Sequence, residues 1–262
     1  MSQLDVQMKG WVSTYGGILL FLFVLFQLTK GFLRRYRDKL FAKGESQFSE
    51  LYNVPAGPTK AKLFESMQDV QSADWSLKNK GLIRILEIGC GNGANLKYFP
   101  KSARLVMVDR NEFYRPLLDE NLKKFPHLHL EKVVYCSAED MRQIASDSVD
   151  VVVSTIVLCS IDHVSAVLSE IKRVLAPGGK FYFLEHVMAN EGTTLCTVQK
   201  LLSVSRIWPA LCGNGCRLDK RTDVFIKEAG FSEISINRLD IYTDKMVVFK
   251  LIKHHIAGVA TK

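Results

Sequence analysis

The sequence of 262 residues lacks the features of repetitive proteins. It has no evident internal repeat or low-complexity tract, and its seven prolines cluster only in residues 55–58, where we predict a short stiff loop between helices. These absences exclude a repeat architecture. The length leaves room for an N-terminal segment and one α/β domain that is large enough for a full core.

Cysteine is scarce as well. The six cysteines are scattered along the chain, which argues against a disulfide framework and agrees with a reducing compartment. Cys212 and Cys216 have the spacing of half a zinc site, but the sequence shows no second pair of ligands to accompany them. We therefore expect two loop cysteines at these positions and no metal site.

Charge is nearly balanced outside one short segment. Of the net charge of +8, residues 30–43 hold +5, from six cations and one anion, and residues 44–262 hold only +3. This distribution favours contact with an anionic membrane leaflet over a nucleic-acid surface, and a solvated helix face is the simpler alternative. By the positive-inside bias, the domain that follows lies in the cytosol.

A long hydrophobic run precedes the basic segment. Residues 10–29 carry no charge, and a helix of that length spans roughly 30 Å, the thickness of a hydrocarbon core. We predict a membrane helix that either crosses the bilayer or lies along it, with a cleaved signal peptide and a buried soluble helix as alternatives. The predicted organisation is a tail (1–9), a membrane anchor helix (10–29), a basic linker (30–45) and a folded domain (46–262).

The most informative motif is a glycine turn at the end of an apolar run. The run covers residues 82–88 and leads into three glycines, and an acid ends the next predicted strand. The residues of this motif are Glu87, Gly89, Gly91, Gly93 and Asp109. Glycines let the backbone lie against a ligand, and we expect the helix that follows to point its amide groups at it.

This pattern fits two cofactors. Asp109 suits the ribose diol of either one, and Gly89, Gly91 and Ala94 also match the dinucleotide fingerprint of a Rossmann turn. Glu87 favours S-adenosylmethionine, because a buried carboxylate is costly unless positive charge meets it, and this cofactor carries ammonium and sulfonium groups.

Further strands and helices complete an α/β pattern. We predict strands at residues 133–136, 149–158, 180–184, 233–240 and 246–253, and helices at residues 162–175 and 219–229, with Asp219 as the N-cap of the last helix. His254 and His255 close the last predicted strand as surface residues. The loop after residue 136 offers an acid and small residues that suit adenine.

At this point the chain resembles a known superfamily. Residues 86–93, Asp109, residues 138–141, the strand that ends in Leu158 and Cys159, and residues 175–186 are similar, in order, to the motifs of a class I S-adenosylmethionine-dependent methyltransferase. Within that superfamily, residues 158–160, 181–187 and 255–258, together with the hydrophobic N-terminus, resemble the membrane-associated thiol methyltransferases also called methyltransferase-like protein 7.

The resemblance implies a fold, a reaction and a location. The fold is a Rossmann-like, seven-stranded, mostly parallel α/β sheet with helices on both faces and an antiparallel last strand. The reaction is S-methylation of small lipophilic thiols with S-adenosylmethionine, and the location is the endoplasmic reticulum and lipid droplets. Two other functions stay open: methylation of a quinone, sterol or lipid hydroxyl, and a non-catalytic membrane or lipid-droplet protein, against which the intact Glu87 and Asp109 speak.

Candidate site residues can be assigned from these motifs. His186 is the candidate catalytic group, which takes or orients the thiol proton, because ligands bind at the carboxyl ends of such sheets. The candidate cofactor-binding residues are Glu87, Gly89, Cys90, Gly91, Gly93, Asp109, Arg110, Ala138, Glu139 and Asp140. The candidate substrate pocket consists of Cys159, Ser160 and His186.

Overall fold

The computed structural model describes residues 3–211 and 215–262, so Cys212 lies outside the described residues. The chain divides into two compact units, Met1–Gly44 and Glu45–Lys262. The helices are α1 (Gln3–Glu65), α2 (Trp75–Lys78), α3 (Arg115–Leu122), α4 (Val164–Val174), α5 (Thr194–Val204), α6 (Ile207–Leu211), α7 (Thr222–Glu228) and α8 (Val247–Leu251). The strands are β1 (Ile83–Ile88), β2 (Ala103–Asp109), β3 (His129–Tyr135), β4 (Val149–Thr155), β5 (Leu175–His186), β6 (Glu233–Asp240) and β7 (His254–Thr261).

Helix α1 carries the hydrophobic run of the N-terminus. Its large apolar side chains are exposed to an unusual degree, with Leu19 and Phe21 both 67% accessible. The helix is long and apolar enough to cross a membrane by length and composition, with a mean hydropathy of 1.9 over a stretch that is not buried in the protein. Exposed apolar surface on this scale is typical of a membrane or partner contact.

The loop predicted at residues 55–58 is wrong, because Pro55 and Pro58 both lie inside α1. Proline removes one backbone donor and normally kinks or ends a helix. Here Tyr52 and Ala56 are buried in a core cluster around Phe249, and this packing keeps the segment helical.

The described residues form a sheet of seven strands in the order β3-β2-β1-β4-β5-β7-β6. The pairs from β3 through β5 are parallel, while β7 runs antiparallel to both β5 and β6. The predicted Rossmann-like fold with an antiparallel last strand is confirmed. Strand order reverses between β1 and β4, so the carboxyl ends of these strands open a crevice in which such sheets bind ligands.

The central strands are buried on both faces. Leu86 and Ile88 pack with α4 and α7 in one hydrophobic cluster, and Ile85 packs with Phe64 and Tyr182 in another. Alternation along a strand sends neighbouring side chains to opposite faces, so a strand covered on both sides is apolar throughout. This explains why Glu87, one residue before the end of such a strand, is exceptional.

Three predictions in the C-terminal part of the chain are wrong. Residues 246–253 contain helix α8 and not a strand, because the packing of Phe249 and Ile252 on one helical face outweighs the β-propensity of the valines. The last strand is β7, which begins at His254, and His255 is buried and not a surface residue. Asp219 does not cap a helix: it binds the Arg217 guanidinium at 2.7 and 2.9 Å, and α7 begins later, at Thr222.

Candidate functional site

The glycines of the turn after β1 adopt the left-handed backbone conformation that was expected of them. Gly89, Gly91 and Gly93 all have positive φ, at 61°, 49° and 78°. A Cβ at Gly89 would lie 2.4 Å from the Val157 side chain, and one at Gly93 would lie 2.7 Å from Leu96. A side chain at Gly89 or Gly93 would therefore collide with neighbouring side chains, and its positive φ would also strain the backbone.

The helix expected directly after this turn is absent. Turns lead into a three-residue 3-10 helix, Leu96–Tyr98. Gly93 and Asn95 favour turns over helix, and Pro100 ends the segment before an α-helix has room to form. The prediction that a helix N-terminus faces the ligand is therefore wrong.

Glu87 is buried at the tip of β1, with 2% of its surface accessible. Asn95 Nδ2 donates to its Oε1 at 2.6 Å, whereas Oε2 has no hydrogen-bond partner among the described residues. Burial raises the pKa of Glu87 to about 7, although the Asn95 hydrogen bond and the charge of Lys60 oppose this rise. An orphaned buried carboxylate oxygen is costly, and a cationic ligand group would remove that cost.

Asp109 ends β2 on the other side of the turn. Its Oδ2 accepts from the Gly91 backbone N–H at 3.0 Å, and its Oδ1 accepts from the Asn111 N–H at 2.8 Å. Burial raises the pKa of Asp109 despite these hydrogen bonds. Each oxygen keeps a further lone pair, which leaves the carboxylate able to accept from a ligand diol.

These features fit the expected methyl donor. Glu87 offers negative charge to ammonium and sulfonium groups, the glycine turn admits close backbone approach, and Asp109 offers acceptors to a ribose. A pyrophosphate would instead place negative charge against Glu87. The residues present therefore fit S-adenosylmethionine better than a dinucleotide.

The other predicted cofactor residues differ in placement. Cys90 is buried within the turn, where burial raises the pKa of its thiol, and Arg110 adds positive charge beside Asp109. Ala138 is buried. Glu139 accepts from the His163 backbone N–H, while the exposed Asp140 forms an ion pair with Arg142 at 2.7 Å. A contact between Asp140 and adenine stays a prediction.

The predicted substrate-pocket residues lie together at the carboxyl ends of β4 and β5. Cys159 and Ser160 belong to a 3-10 helix, Leu158–Ser160, that comes after β4, and His186 is the last residue of β5. His186 Nε2 lies 3.1 Å from the sulfur of Cys216, a residue that the sequence predicted to be a loop cysteine without a role. The described residues of the acceptor side thus include two buried thiols and one imidazole.

The electrostatic interactions in this group favour a Cys216 thiolate paired with a His186 imidazolium. The hydrogen bond from the Cys159 thiol lowers the pKa of Cys216 well below its usual value against the effect of burial, and the charge of His186 lowers it further. Burial disfavours the charged form of His186, but the negative Cys216 outweighs this effect and raises the pKa of the imidazole. Trp208 Nε1 adds a hydrogen bond to Cys216 Sγ at 3.5 Å.

Three further residues border the site and were missed by sequence reasoning. Asn95 holds Glu87, Lys60 lies close enough to lower the pKa of Glu87, and the half-buried Glu45 has a pKa of about 7 through burial and the negative charges of Cys216 and Asp109. Lys60 and Glu45 belong to α1, far from the glycine turn in sequence, so no local spacing marks them. Asn95 carries a weak signal, since it comes soon after the turn.

The buried carboxylates predict an unusual pH dependence of stability. The pKa values of Glu87 and Glu185 are raised by burial from 4.5 to about 7, so between these values the folded protein binds more protons than the unfolded chain. The free energy of unfolding should therefore fall as pH rises from 4.5 to 7, by up to about 1.4 kcal/mol per pH unit for each group. Urea unfolding of wild type and Glu87→Gln from pH 5 to 8 measures this slope, and the variant should be clearly shallower. Equal slopes would contradict the assignment to Glu87.

Comparison with known proteins gives an independent result. Residues 86–183 match a family model described as a methyltransferase domain. The chain is 34% identical over 216 residues to the human thiol S-methyltransferase TMT1A, covering 82% of this chain and 83% of that protein. It is 36% identical over 179 residues to human thiol S-methyltransferase TMT1B, covering 68% of this chain and 70% of that protein.

A solved structure shares the fold at lower identity. A SAM-dependent methyltransferase from Methanosarcina mazei superimposes with a TM-score of 0.53 and 18% identity, covering 69% of this chain and 92% of that chain. At this identity the similarity concerns the fold.

Proposed function

Since this chain belongs to the family of the thiol S-methyltransferases TMT1A and TMT1B, we propose that it methylates small lipophilic alkyl thiols. It is a methyltransferase with S-adenosylmethionine as its cofactor. The observation that carries the proposal is the site itself, in which two buried carboxylates flank a bare glycine turn, beside a second group that is rich in sulfur and imidazole.

The donor half of the site binds and orients. S-adenosylmethionine, when bound, supplies an electrophilic methyl group on a sulfonium sulfur. Glu87 would hold the cationic end of the donor, and Asp109 would hold its ribose, with Gly91 N–H keeping the carboxylate in place. Fixed orientation is the main requirement of an in-line transfer, because the reacting atoms must be aligned.

The acceptor half excludes water and lies where the acceptor sulfur must approach. Cys159 and His186 are 1% exposed, so an acceptor beside them is shielded from solvent. A free alkyl thiol has a pKa of about 8.5, and a minority is therefore already thiolate at neutral pH. The acceptor would react as this thiolate, its proton already released to solvent, and would form a bond to the methyl carbon while the donor sulfur left with the electron pair of the bond that breaks.

A competition assay tests the reaction. Purified full-length protein in detergent, labelled methyl donor and a panel of alkyl thiols, phenols and hydroxylated lipids should give label in the alkyl thiols above all. Glu87→Gln serves as the matched loss-of-charge control and should depress methylation of every acceptor alike. Label in a phenol or lipid hydroxyl with none in the thiols would replace the proposed substrate class.

We also propose that residues 10–29 anchor the enzyme in the membrane of the endoplasmic reticulum or lipid droplets, with the catalytic unit in the cytosol. Support comes from the exposed apolar side chains of this stretch and from the +5 segment that comes after it. A lipophilic thiol partitions into the same membrane, so the anchor would raise its concentration near the pocket.

Membrane topology gives the second expected result of this proposal. After expression in cells, the protein should stay in the pellet after alkaline carbonate extraction. A tag after Lys262 should be digested by protease added to sealed microsomes, because the C-terminus would be cytosolic. A luminal marker protein in the same microsomes controls for leakage. Extraction of the protein into the supernatant would contradict the membrane anchor. A tag that is protected from the protease would contradict the cytosolic orientation.

A further inference from the structure

Three side chains with metal-binding atoms meet at the acceptor side of the site. Cys159 Sγ, His186 Nε2 and Cys216 Sγ all lie within 4.8 Å of one another, and each residue is at least nine-tenths buried. They come from three separate parts of the chain. Thiolate and neutral imidazole are the ligands that zinc prefers in proteins.

The backbone holds these residues together by specific contacts. The Arg217 N–H donates to the Cys159 carbonyl at 2.9 Å, which fixes the Cys216 segment beside the turn after β4. The buried Glu185 carboxylate accepts from the backbone N–H groups of Val157 and Leu158 at 2.9 and 3.1 Å. A dedicated buried carboxylate therefore shapes the turn that presents Cys159.

The same turn is strained. Ile156 has a φ of 56°, a conformation that is a genuine outlier for a β-branched residue. Strain of this kind persists only where the surrounding structure imposes it, and it clusters at functional sites. The strained backbone at Ile156 and the hydrogen bonds to Glu185 both help to fix the position of the Cys159 sulfur.

We propose that Cys159, His186 and Cys216 bind one zinc ion. Zn–S distances of about 2.3 Å and a Zn–N distance of about 2.0 Å in a tetrahedron require ligand atoms about 3.5–3.8 Å apart, which this cluster reaches with small shifts. Trp208 Nε1 donates to Cys216 Sγ and would remain as a hydrogen bond to the metal-bound sulfur.

The neighbouring His255 supports the required tautomer of His186. His255 Nδ1 faces the Lys253 carbonyl at 2.8 Å and must carry its hydrogen, so Nε2 of His255 is an acceptor. In the part of the chain that the structure describes, that atom and His186 Nδ1 are both buried without a hydrogen-bond partner, on rings whose centroids are 6.5 Å apart. In the metal-free charged pair both ring nitrogens of His186 carry hydrogen; zinc would displace the hydrogen of Nε2, and the hydrogen kept on Nδ1 gives the tautomer that binds a metal.

Among the residues that the structure describes, three protein ligands meet here, and three ligands leave one position of the tetrahedron open, the arrangement of catalytic zinc. This part of the inference rests on the proposed function: the fourth ligand would be the sulfur of the acceptor thiol. The acceptor S–H bond would break and its proton would pass to solvent before the thiol enters the buried site, and the sulfur would then bind zinc as a thiolate. His186 then acts as a metal ligand and not as the proton acceptor that was predicted from the sequence.

The first test measures metal directly. Full-length protein purified without chelators should contain about one zinc per chain by mass spectrometry, and reconstitution with Co²⁺ should give tetrahedral and sulfur-to-cobalt absorption bands. Cys159→Ala and Cys216→Ala should each lower zinc affinity by more than about 100-fold, beyond the 10–100-fold typical of outer partners. Cys196→Ala, a buried cysteine outside the cluster, is the matched control and should keep the metal.

Folding is checked in the same samples by S-adenosylmethionine binding, which the alanine variants should retain because Glu87 and Asp109 are unchanged. Wild-type protein with no zinc and no cobalt bands overturns the inference, as do zinc retained in both cysteine variants or a disulfide between Cys159 and Cys216. His255→Phe should weaken zinc binding by about 10–100-fold, as expected for loss of an outer partner.

Added alkyl thiol separates the metal site from the proposed function. It should shift the cobalt bands of the wild type, because a new sulfur joins the metal. Thiol methylation by a metal-free wild type would sink the zinc site and leave the proposed function standing. Stoichiometric zinc in a protein that methylates phenols alone would support the zinc site and contradict the proposed thiol substrate.

Discussion

Asp109→Asn is expected to raise the dissociation constant for S-adenosylmethionine at least about 100-fold. The carboxylate would accept two hydrogen bonds from the ribose diol, and bonds to charged groups contribute about 1.5–3 kcal/mol each. Loss of about 2.7 kcal/mol is already a factor of 100. Isothermal titration calorimetry on the full-length protein measures this change.

The amide substitution also disturbs the protein side of Asp109. Both of its oxygens accept from backbone N–H groups, those of Gly91 and Asn111. An asparagine has only one acceptor oxygen, so its NH₂ group must face one of these N–H donors. One donor is then left without a partner in a buried place, which adds to the loss and loosens the glycine turn.

A matched variant isolates the effect. Asp119→Asn changes an exposed carboxylate that pairs with Arg115 on α3, and its affinity for the donor should stay within about twofold of wild type, as for a surface ion pair. Thermal unfolding of both variants shows how much of the Asp109 effect comes from stability. An Asp109→Asn protein with wild-type affinity would remove Asp109 from the donor site.

The donor half of the site could be predicted because its residues are close in sequence. Glu87 and the glycines occupy one short segment, and Asp109 ends the adjacent strand, so local patterns of apolar runs and glycines identify them. The bounds of β6 were predicted as observed for the same reason, since residues 233–240 alternate polar and apolar side chains. Near the glycine turn, only the α-helix expected directly after Gly93 was wrong.

The acceptor half could not be predicted to the same depth. Spacing along the chain suggested Cys212 as the companion of Cys216, whereas the fold brings Cys216 to His186, thirty residues earlier in sequence. That contact depends on the Arg217–Cys159 backbone bond and on the ends of two strands, none of which has a local signature. His255 was misplaced because the strand that contains it was predicted to have ended.

Strand β7 was missed because small residues interrupt its β-branched ones. Ala257, Gly258 and Ala260 give no β-branched or aromatic signal, yet this strand pairs with both β5 and β6 in the middle of the antiparallel part of the sheet. Small side chains are required there. Gly258 faces the Phe183 ring, which is fully buried, and a Cβ at Gly258 would lie 2.5 Å from that ring.

Gly258→Ala should therefore lower the melting temperature by about 8–16 °C or abolish soluble expression. The added Cβ would lie 2.1 Å from the Ser235 carbonyl oxygen on β6, a backbone atom that cannot rotate away. Relief requires the β6–β7 pairing or the Phe183 packing to shift, at a cost of about 4 kcal/mol or more, and about 2–4 °C accompanies each kcal/mol in a domain of this size. Differential scanning fluorimetry in detergent gives the melting temperature.

Gly57→Ala is the matched control, because the new Cβ at that helical position meets only the Tyr98 hydroxyl at 3.6 Å, an ordinary contact. Alanine in place of glycine inside a helix should keep or raise the melting temperature. A Gly258→Ala protein as stable as Gly57→Ala would mean that β7 does not pair in this register. His255 would then not lie beside His186, and the support that it gives to a metal-binding imidazole would be lost as well.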